Sequence, residues 1–223
     1  MWTWLQENSQ IMSALAAWAT IGLWALYLQL IYSSYRLSRR AKILVNRGAS
    51  ETVDAKCIIA NMGAEPIYIE AIRVMLSRDD HAFVSSLGNL EIAMAQEGDR
   101  RPQWMQGPMA SGEMIDIGTF RSLVDHCIDN ARGAVAVGDD GFLDGATLKI
   151  IVVGTMASEH LPVAARREFR IGAHGAVLKL HPRTLRTDQI RSKRERREIE
   201  NVLSRDLESE WREEEPQEQK NAA

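Results

Sequence analysis

Near its beginning the chain reads Ile11-Met-Ser-Ala-Leu-Ala-Ala-Trp-Ala-Thr-Ile-Gly-Leu-Trp-Ala-Leu-Tyr-Leu-Gln-Leu-Ile-Tyr32. No charged residue occurs between Asn8 and Tyr35. Wound as an α-helix, this run of 22 residues is about 33 Å long, enough to cross a hydrocarbon core of roughly 30 Å. The sequence therefore predicts a transmembrane helix over residues 11–32, preceded by a short external N-terminus at residues 1–10.

The flanks and the length of this run distinguish it from a cleaved signal peptide and from a buried helix. The first ten residues contain Glu7 and no Lys or Arg, and the run ends in Tyr32-Ser-Ser-Tyr-Arg36 instead of a small-residue cleavage site. Helices of globular proteins usually have about 8–20 residues, fewer than this run. We therefore predict a retained signal-anchor.

Basic residues lie on one side of the predicted span. None precedes it, whereas the linker at residues 33–42 and the first residues after it contain Arg36, Arg39, Arg40, Lys42 and Arg47. The positive-inside rule predicts a single-pass inner-membrane protein with its N-terminus outside and its C-terminal domain in the cytoplasm. Arg36, Arg39, Arg40 and Lys42 are also candidates for binding lipid headgroups. The alternative is that these residues only set the topology.

Small side chains form a stripe along the predicted span, at Ser13, Ala16, Ala17 and Thr20. Their spacing of three and four residues puts them on one helix face, where they would let a second helix approach closely. We consider these four residues candidates for a helix–helix contact with a second copy or with another membrane protein. The alternative is that the stripe is ordinary membrane-helix composition.

Residues 43–182 have the patterns of an antiparallel β-sandwich. Apolar and polar residues alternate from Val53 to Ile59, and a second extended run from Pro66 to Leu76 shifts its apolar face near Ala71, which indicates a β-bulge. The run from Leu148 to Val153 has the composition of a central strand. One amphipathic helix is predicted, and its apolar face is formed by Phe120, Leu123, Val124, Cys127 and Ile128. The fold class predicted is all-β, with this short helix inside the sandwich domain.

Residues 183–223 are predicted to be a charged tail that is first helical and then disordered. The part at 183–197 is mostly basic, and the part at 198–218 is mostly acidic. Ile199, Leu203, Leu207 and Trp211 form a narrow apolar stripe, which predicts a helix over residues 187–212. Because an isolated helix of this length is marginal in water, we expect a partner or self-association to order it.

One pattern resembles a known type of domain. The segment Asn61-x-Gly63-x-x-Pro66-Ile67-x-Ile69, followed later by Ser111-Gly112-Glu113, resembles immunoglobulin-like sandwich domains of bacterial membrane-tethered proteins. The resemblance covers only these two segments. It implies a sandwich on a membrane anchor and brings no catalytic residue with it.

Residue types that carry catalysis or bind metals are present, but they lack the required spacings. The five histidines have no second ligand at a metal-binding interval, so we predict no metal site, no cofactor and no catalytic residue. Cys127 belongs to the apolar helix face, which favours a buried thiol. The acidic loop Asp139–Gly145 is predicted to be a turn, with a cation site as the alternative. The net charge of −3 gives no reason to expect nucleic acid as a partner.

The loop at residues 100–109 mixes Arg, Trp and Met, which are enriched at protein interfaces. Arg101, Trp104 and Met105 are therefore candidate partner contacts. The alternative is a loop folded over one end of the sandwich, with Trp104 buried.

Together these features predict a membrane-anchored interaction or assembly module and not an enzyme. The expected partners are membrane lipid and either another membrane protein or a second copy of the chain. Two alternatives stay open: a regulatory or sensory membrane subunit that binds a small ligand, and a hydrolase whose catalytic residues meet only in space.

Overall fold

The structure, a computed structural model, describes residues 9–38, 40–79, 81–87, 107–131, 140–175 and 177–206. The chain divides into two compact units, Met1–Arg40 and Ala41–Ala223. The first unit contains one long helix, α1, at Ser9–Ser38. Its sequence has no proline and a single glycine, so nothing removes a backbone hydrogen bond from its length.

The described residues of the second unit form two antiparallel sheets. The smaller sheet has the order β1-β2-β6, with strands at Ile43–Arg47, Lys56–Asn61 and Met114–Thr119. The larger sheet has the order β10-β8-β7-β3-β4, while β5 also pairs with β3 and β9 also pairs with β8. Its strands are β3 at Ile67–Arg78, β4 at His81–Ser86, β5 at Gly107–Met109, β7 at Thr147–Thr155, β8 at Val163–His174, β9 at Val177–Pro182 and β10 at Asp188–Ile190.

Three helical segments accompany the sheets in the described part of the second unit: α2 at Phe120–Ala131, α3 at Asp140–Leu143 and α4 at residues 193–206. The core lies between the sheets and is built from alternate residues of their strands, with α2 adding Phe120. The rings of Phe120 and Phe169 meet edge to face at 4.8 Å between centroids. The prediction of a mostly β chain with antiparallel sheets behind a long apolar helix is therefore confirmed.

Two details of the larger sheet agree with the sequence patterns. Strand β7 lies between β3 and β8, as predicted for a central strand. The register of β3 against β7 shifts between Ile69 and Ala71, which confirms the predicted bulge. At this point a Cβ added to Gly154 would lie 2.5 Å from the main-chain oxygen of Tyr68, so the close approach of the two backbones requires glycine.

The C-terminal part differs from its prediction. The predicted helix over 187–212 is wrong at its beginning, because Asp188–Ile190 form β10 along the edge of β8, and the helical residues are 193–206. Helix α4 packs Ile199 and Leu203 of the apolar stripe against a second cluster in its own chain. The other two residues of the stripe, Leu207 and Trp211, lie outside the described residues.

The acidic loop Asp139–Gly145 is more regular than the simple turn predicted for it. Residues Asp140–Leu143 form the short helix α3, and Asp139 lies outside the described residues. The Asp144 carboxylate accepts a hydrogen bond from the main-chain N–H of Ala173 at 2.8 Å. This carboxylate therefore fixes the end of the loop to β8.

Candidate membrane anchor and partner surfaces

The surface of α1 is apolar over the stretch Gln10–Tyr35, which is long and apolar enough to cross a membrane. No part of this stretch, all of which the structure describes, is buried. Trp18 and Trp24 are among its most exposed side chains. Exposing a large apolar side chain to water costs about 1.5–3 kcal/mol relative to burying it, so a surface of this size is unfavourable in water.

The predicted small-residue stripe is exposed along α1, but its hydroxyl groups already have partners. Ser13 Oγ donates to the main-chain oxygen of Gln10 at 2.9 Å, and Thr20 Oγ1 donates to that of Ala16 at 2.8 Å. Each hydroxyl proton is thus used inside the helix, and only its oxygen lone pairs are left as acceptors. The stripe therefore offers close approach to another helix more than it offers hydrogen-bond donors. The helix–helix contact through Ser13, Ala16, Ala17 and Thr20 stays a prediction.

Only some of the other predicted contact residues belong to the part of the chain that the structure describes. Arg40 and Lys42 have exposed side chains, as lipid headgroup binding requires. The side chain of Arg36, residue Arg39 and the candidate partner contacts Arg101, Trp104 and Met105 lie outside the described residues. The lipid and partner roles of all these residues stay predictions.

Strand β1, which follows α1 in the chain, is tied to the larger sheet by side chains. The Gln189 amide bonds to both main-chain groups of Ile43, accepting from its N–H at 3.0 Å and donating to its oxygen at 2.6 Å. Thr187 Oγ1 makes the same pair of bonds with Val45, at 2.9 and 3.1 Å. These side chains therefore satisfy the edge of β1 in place of another strand.

A buried arginine adds to this connection. Arg167 points inward from β8 and donates from Nη1 to the main-chain oxygen of Val45 and to Asn46 Oδ1. Burial lowers the pKa of this guanidinium, the charge of Arg47 lowers it further, and Cys57 opposes the change. Arg167, Thr187 and Gln189 were not predicted from the sequence, because the bonds they make with β1 join residues more than a hundred positions apart.

The two segments that carry the sequence resemblance contact each other. Asn61 is fully buried, and its amide donates to the main-chain oxygens of Glu65 and Met109 at 2.8 and 3.1 Å. Its Oδ1 accepts from the N–H of Gly63, and Ser111 Oγ donates to the Gly63 oxygen at 2.7 Å. The Asn61 side chain thus stabilises the connection from β2 of the small sheet to β3 of the large sheet.

Both cysteine thiols are buried in the core. Burial raises the pKa of Cys127 to about 12, and Cys127 Sγ donates weakly to the main-chain oxygen of Val74 at 3.6 Å. Burial also raises the pKa of Cys57, and the nearby charge of Asp116 adds to the rise. The thiolate is the reactive form, so neither side chain is activated as a nucleophile.

Potential metal ligands are also dispersed where the chain is described. Among these residues, no three His, Cys, Asp or Glu side chains are grouped so that they could hold a metal ion.

Helix α4 covers the outer face of the large sheet. Its apolar residues Ile199 and Leu203 pack beside the cluster of Val153, Ala164 and Ile190. Ion pairs join Glu195 to Arg166 at 3.5 Å and Asp206 to Arg73 at 3.4 Å. The Arg196 guanidinium donates hydrogen bonds to the main-chain oxygens of Leu161 and Pro162 and to the Glu159 carboxylate.

The structure therefore defines a class of protein: an antiparallel β-sandwich unit that follows a helix suited to a membrane. No protein-family model matches this chain, and no curated protein matches it in sequence.

Proposed function

We propose that this protein is a membrane-anchored interaction or assembly module that presents its β-sandwich in the cytoplasm, at the inner membrane. The observation that carries the proposal is the exposed apolar surface of α1 from Gln10 to Tyr35, joined to a unit with its own core. The helix supplies the anchor, and the sandwich supplies the surface offered to partners. In this proposal the chain carries out no reaction of its own.

The distribution of charge supports the cytoplasmic orientation. Arg40 and Lys42 follow the span with exposed side chains, and the sequence before the span contains no Lys or Arg. The positive-inside rule retains such basic flanks on the cytoplasmic side.

The small-residue face of α1 supports association inside the membrane. Ala16 and Ala17 place only methyl groups on that face, and the hydroxyls of Ser13 and Thr20 are folded back onto their own helix. Two backbones can then approach closely, and packing contacts replace contacts with lipid. The partner is another membrane protein or a second copy of the chain.

The experiment compares two matched substitutions in the full chain, purified in a mild detergent. Ala17→Leu enlarges a residue on the small face, whereas Leu15→Ala shortens an exposed residue on the opposite face of the helix. We expect wild type and Leu15→Ala to retain the same associated chains, identified by mass spectrometry, and Ala17→Leu to lose them. A monomer without a partner in all three preparations, or equal retention by both variants, would contradict the proposal.

A further inference from the structure

Apolar side chains from all three strands form part of the outer face of the small sheet, while the next row, Asn46–Ile58–Asp116, is polar on its two outer strands. Core residues such as Val45, Ile59 and Ile117 alternate with residues that point away from the core. The pairing places Leu44, Ala60 and Met114 side by side in one row across the sheet. The neighbouring rows contribute Ile58 and Met62 on the same face.

The exposed apolar side chains of this face are methionines. Met62 is 55% exposed and Met114 is 66% exposed. Methionine has an unbranched, flexible side chain that adapts to irregular or fluid surroundings. A contiguous apolar surface of this kind marks an interaction site when it lies on the outside of a protein.

A basic residue borders this face at the end that carries Met62. The main-chain N–H of Met62 donates to the oxygen of Lys42 at 2.8 Å, which places the exposed Lys42 next to the methionines. Lys56 begins β2 at the opposite end of this face, where it forms an ion pair with Asp116 at 2.6 Å. Apolar side chains edged by Lys are suited to the boundary between acyl chains and anionic headgroups.

The covalent connection keeps the sheet close to the membrane. Helix α1 ends at Ser38 and β1 begins at Ile43, so five residue steps separate them. Fully extended, such a connection reaches about 18 Å. The apolar span continues to Tyr35, only three residues before the helix ends. Strand β1, whose Leu44 belongs to the apolar face, is therefore tethered near the headgroups.

We propose that the outer face of the small sheet, formed by Leu44, Ile58, Ala60, Met62 and Met114, rests on the anionic lipid leaflet at which the chain leaves the membrane. This inference rests on the proposed function, because it requires α1 to be in the bilayer. It extends the proposed function by naming the surface of the sandwich that contacts lipid.

Site-directed spin labelling of the full chain tests this proposal. Single variants Met62→Cys and Met114→Cys carry the label, and Leu185→Cys, 90% exposed in the connection between β9 and β10, is the control. The native thiols, Cys57 and Cys127, are buried with raised pKa values, so labelling is directed to the introduced cysteine. Each variant is reconstituted into vesicles of equimolar phosphatidylcholine and phosphatidylglycerol.

The readout is the collision rate of each label with oxygen, which is enriched in lipid, relative to a water-soluble nickel chelate. We expect this ratio to be at least about threefold higher at positions 62 and 114 than at 185, as for side chains at the acyl boundary. In vesicles of phosphatidylcholine alone the difference should shrink, because Arg40 and Lys42 lose their anionic partners.

Each other outcome would overturn the proposal. Equal collision ratios at the three positions would show that this face is in water. A difference that is unchanged in phosphatidylcholine alone would show that the contact does not require anionic lipid. Protection from both collision partners would show a protein cover, and spin–spin broadening would identify it as a second copy. Vesicle flotation separates these failures from a failure of the anchor: a chain that floats with the vesicles but has label 114 in water refutes the lipid contact alone.

Discussion

Arg167 on the large sheet donates a hydrogen bond from Nη1 to the main-chain oxygen of Val45 on the small sheet, at 2.5 Å. The bond crosses the core and reaches the strand that follows α1 in the chain. The guanidinium lies 5.3 Å from the centre of the Phe169 ring, and Thr187 Oγ1 donates to the same Val45 oxygen. The Arg167 side chain therefore connects the two sheets through the core.

Substitutions of Arg167 should distinguish how much its side-chain volume and its charge each contribute to the stability of the sandwich. We expect Arg167→Ala to destabilise the sandwich by about 2–4 kcal/mol, because it opens a cavity and removes two hydrogen bonds. Arg167→Met fills most of the volume and removes a buried charge, and Thr187 still bonds the Val45 oxygen, so its cost should be below about 1.5 kcal/mol. The measurement is thermal unfolding of the full chain in detergent, followed by circular dichroism. A Met variant as unstable as the Ala variant would contradict this explanation.

Asn61 should be sensitive to the loss of its amide donor. Asn61→Ala leaves the oxygens of Glu65 and Met109 without this partner and should cost about 1–3 kcal/mol. Asn61→Asp should cost more near neutral pH, because a carboxylate would then face two carbonyl oxygens. Burial raises the pKa of such a carboxyl, so its stability is present at low pH and lost as the pH rises through the folded-state pKa. Melting temperatures at two pH values check this; an Asp variant that gains nothing on acidification, relative to the Ala variant, would refute it.

The buried thiols should make the fold sensitive to alkali. The pKa of Cys127 is raised from 9.0 to about 12 in the folded state. Its contribution to stability is therefore complete below about pH 9 and is lost as the pH rises towards 12, because only the unfolded chain ionises in that interval. We expect no reaction with a thiol reagent at pH 8 without denaturant, and a smaller alkaline fall in melting temperature for Cys127→Ala than for wild type. Rapid thiol reaction of the native chain would contradict the burial.

Arg196 should determine how firmly α4 is held on the large sheet. Arg196→Lys cannot reproduce the planar contacts to Pro162, Leu161 and Glu159 together, so hydrogen exchange at residues 193–206 should accelerate about three- to tenfold. Arg197→Lys, which changes an exposed neighbour in the same way, is the matched control. Equal exchange in the two variants would show that the apolar contacts of Ile199 and Leu203 hold the helix without Arg196.

Local sequence patterns were sufficient for elements with a strong period or composition. The central strand β7 and the bulge near Ala71 follow from patterns contained within a few residues. Strand β10 could not be predicted in this way, because Thr187 and Gln189 are defined by bonds to β1, at sequence separations of 142 and 146. The helix predicted over residues 187–212 rested on the apolar stripe that begins at Ile199 and was extended back over these residues.

The apolar outer face of the small sheet was also beyond prediction from the sequence. Its residues come from three strands, and only the register Leu44–Ala60–Met114 brings them together. The long apolar helix α1 was predictable because every residue that defines it lies in one uninterrupted run. The hydrogen bonds of its hydroxyl groups were not predicted, because Ser13 and Thr20 donate to main-chain oxygens of their own helix.

Protease protection in spheroplasts tests the anchored orientation of the sandwich most directly. The full chain is expressed in a bacterium with one tag before Met1 and a different tag after Ala223, and the spheroplasts are treated with external protease. We expect digestion of the N-terminal tag and protection of the C-terminal tag until the membrane is lysed with detergent, because Arg40 and Lys42 keep the sandwich inside. Protection of the N-terminal tag with digestion of the C-terminal tag, or removal of both, would contradict a cytoplasmic sandwich on a membrane anchor.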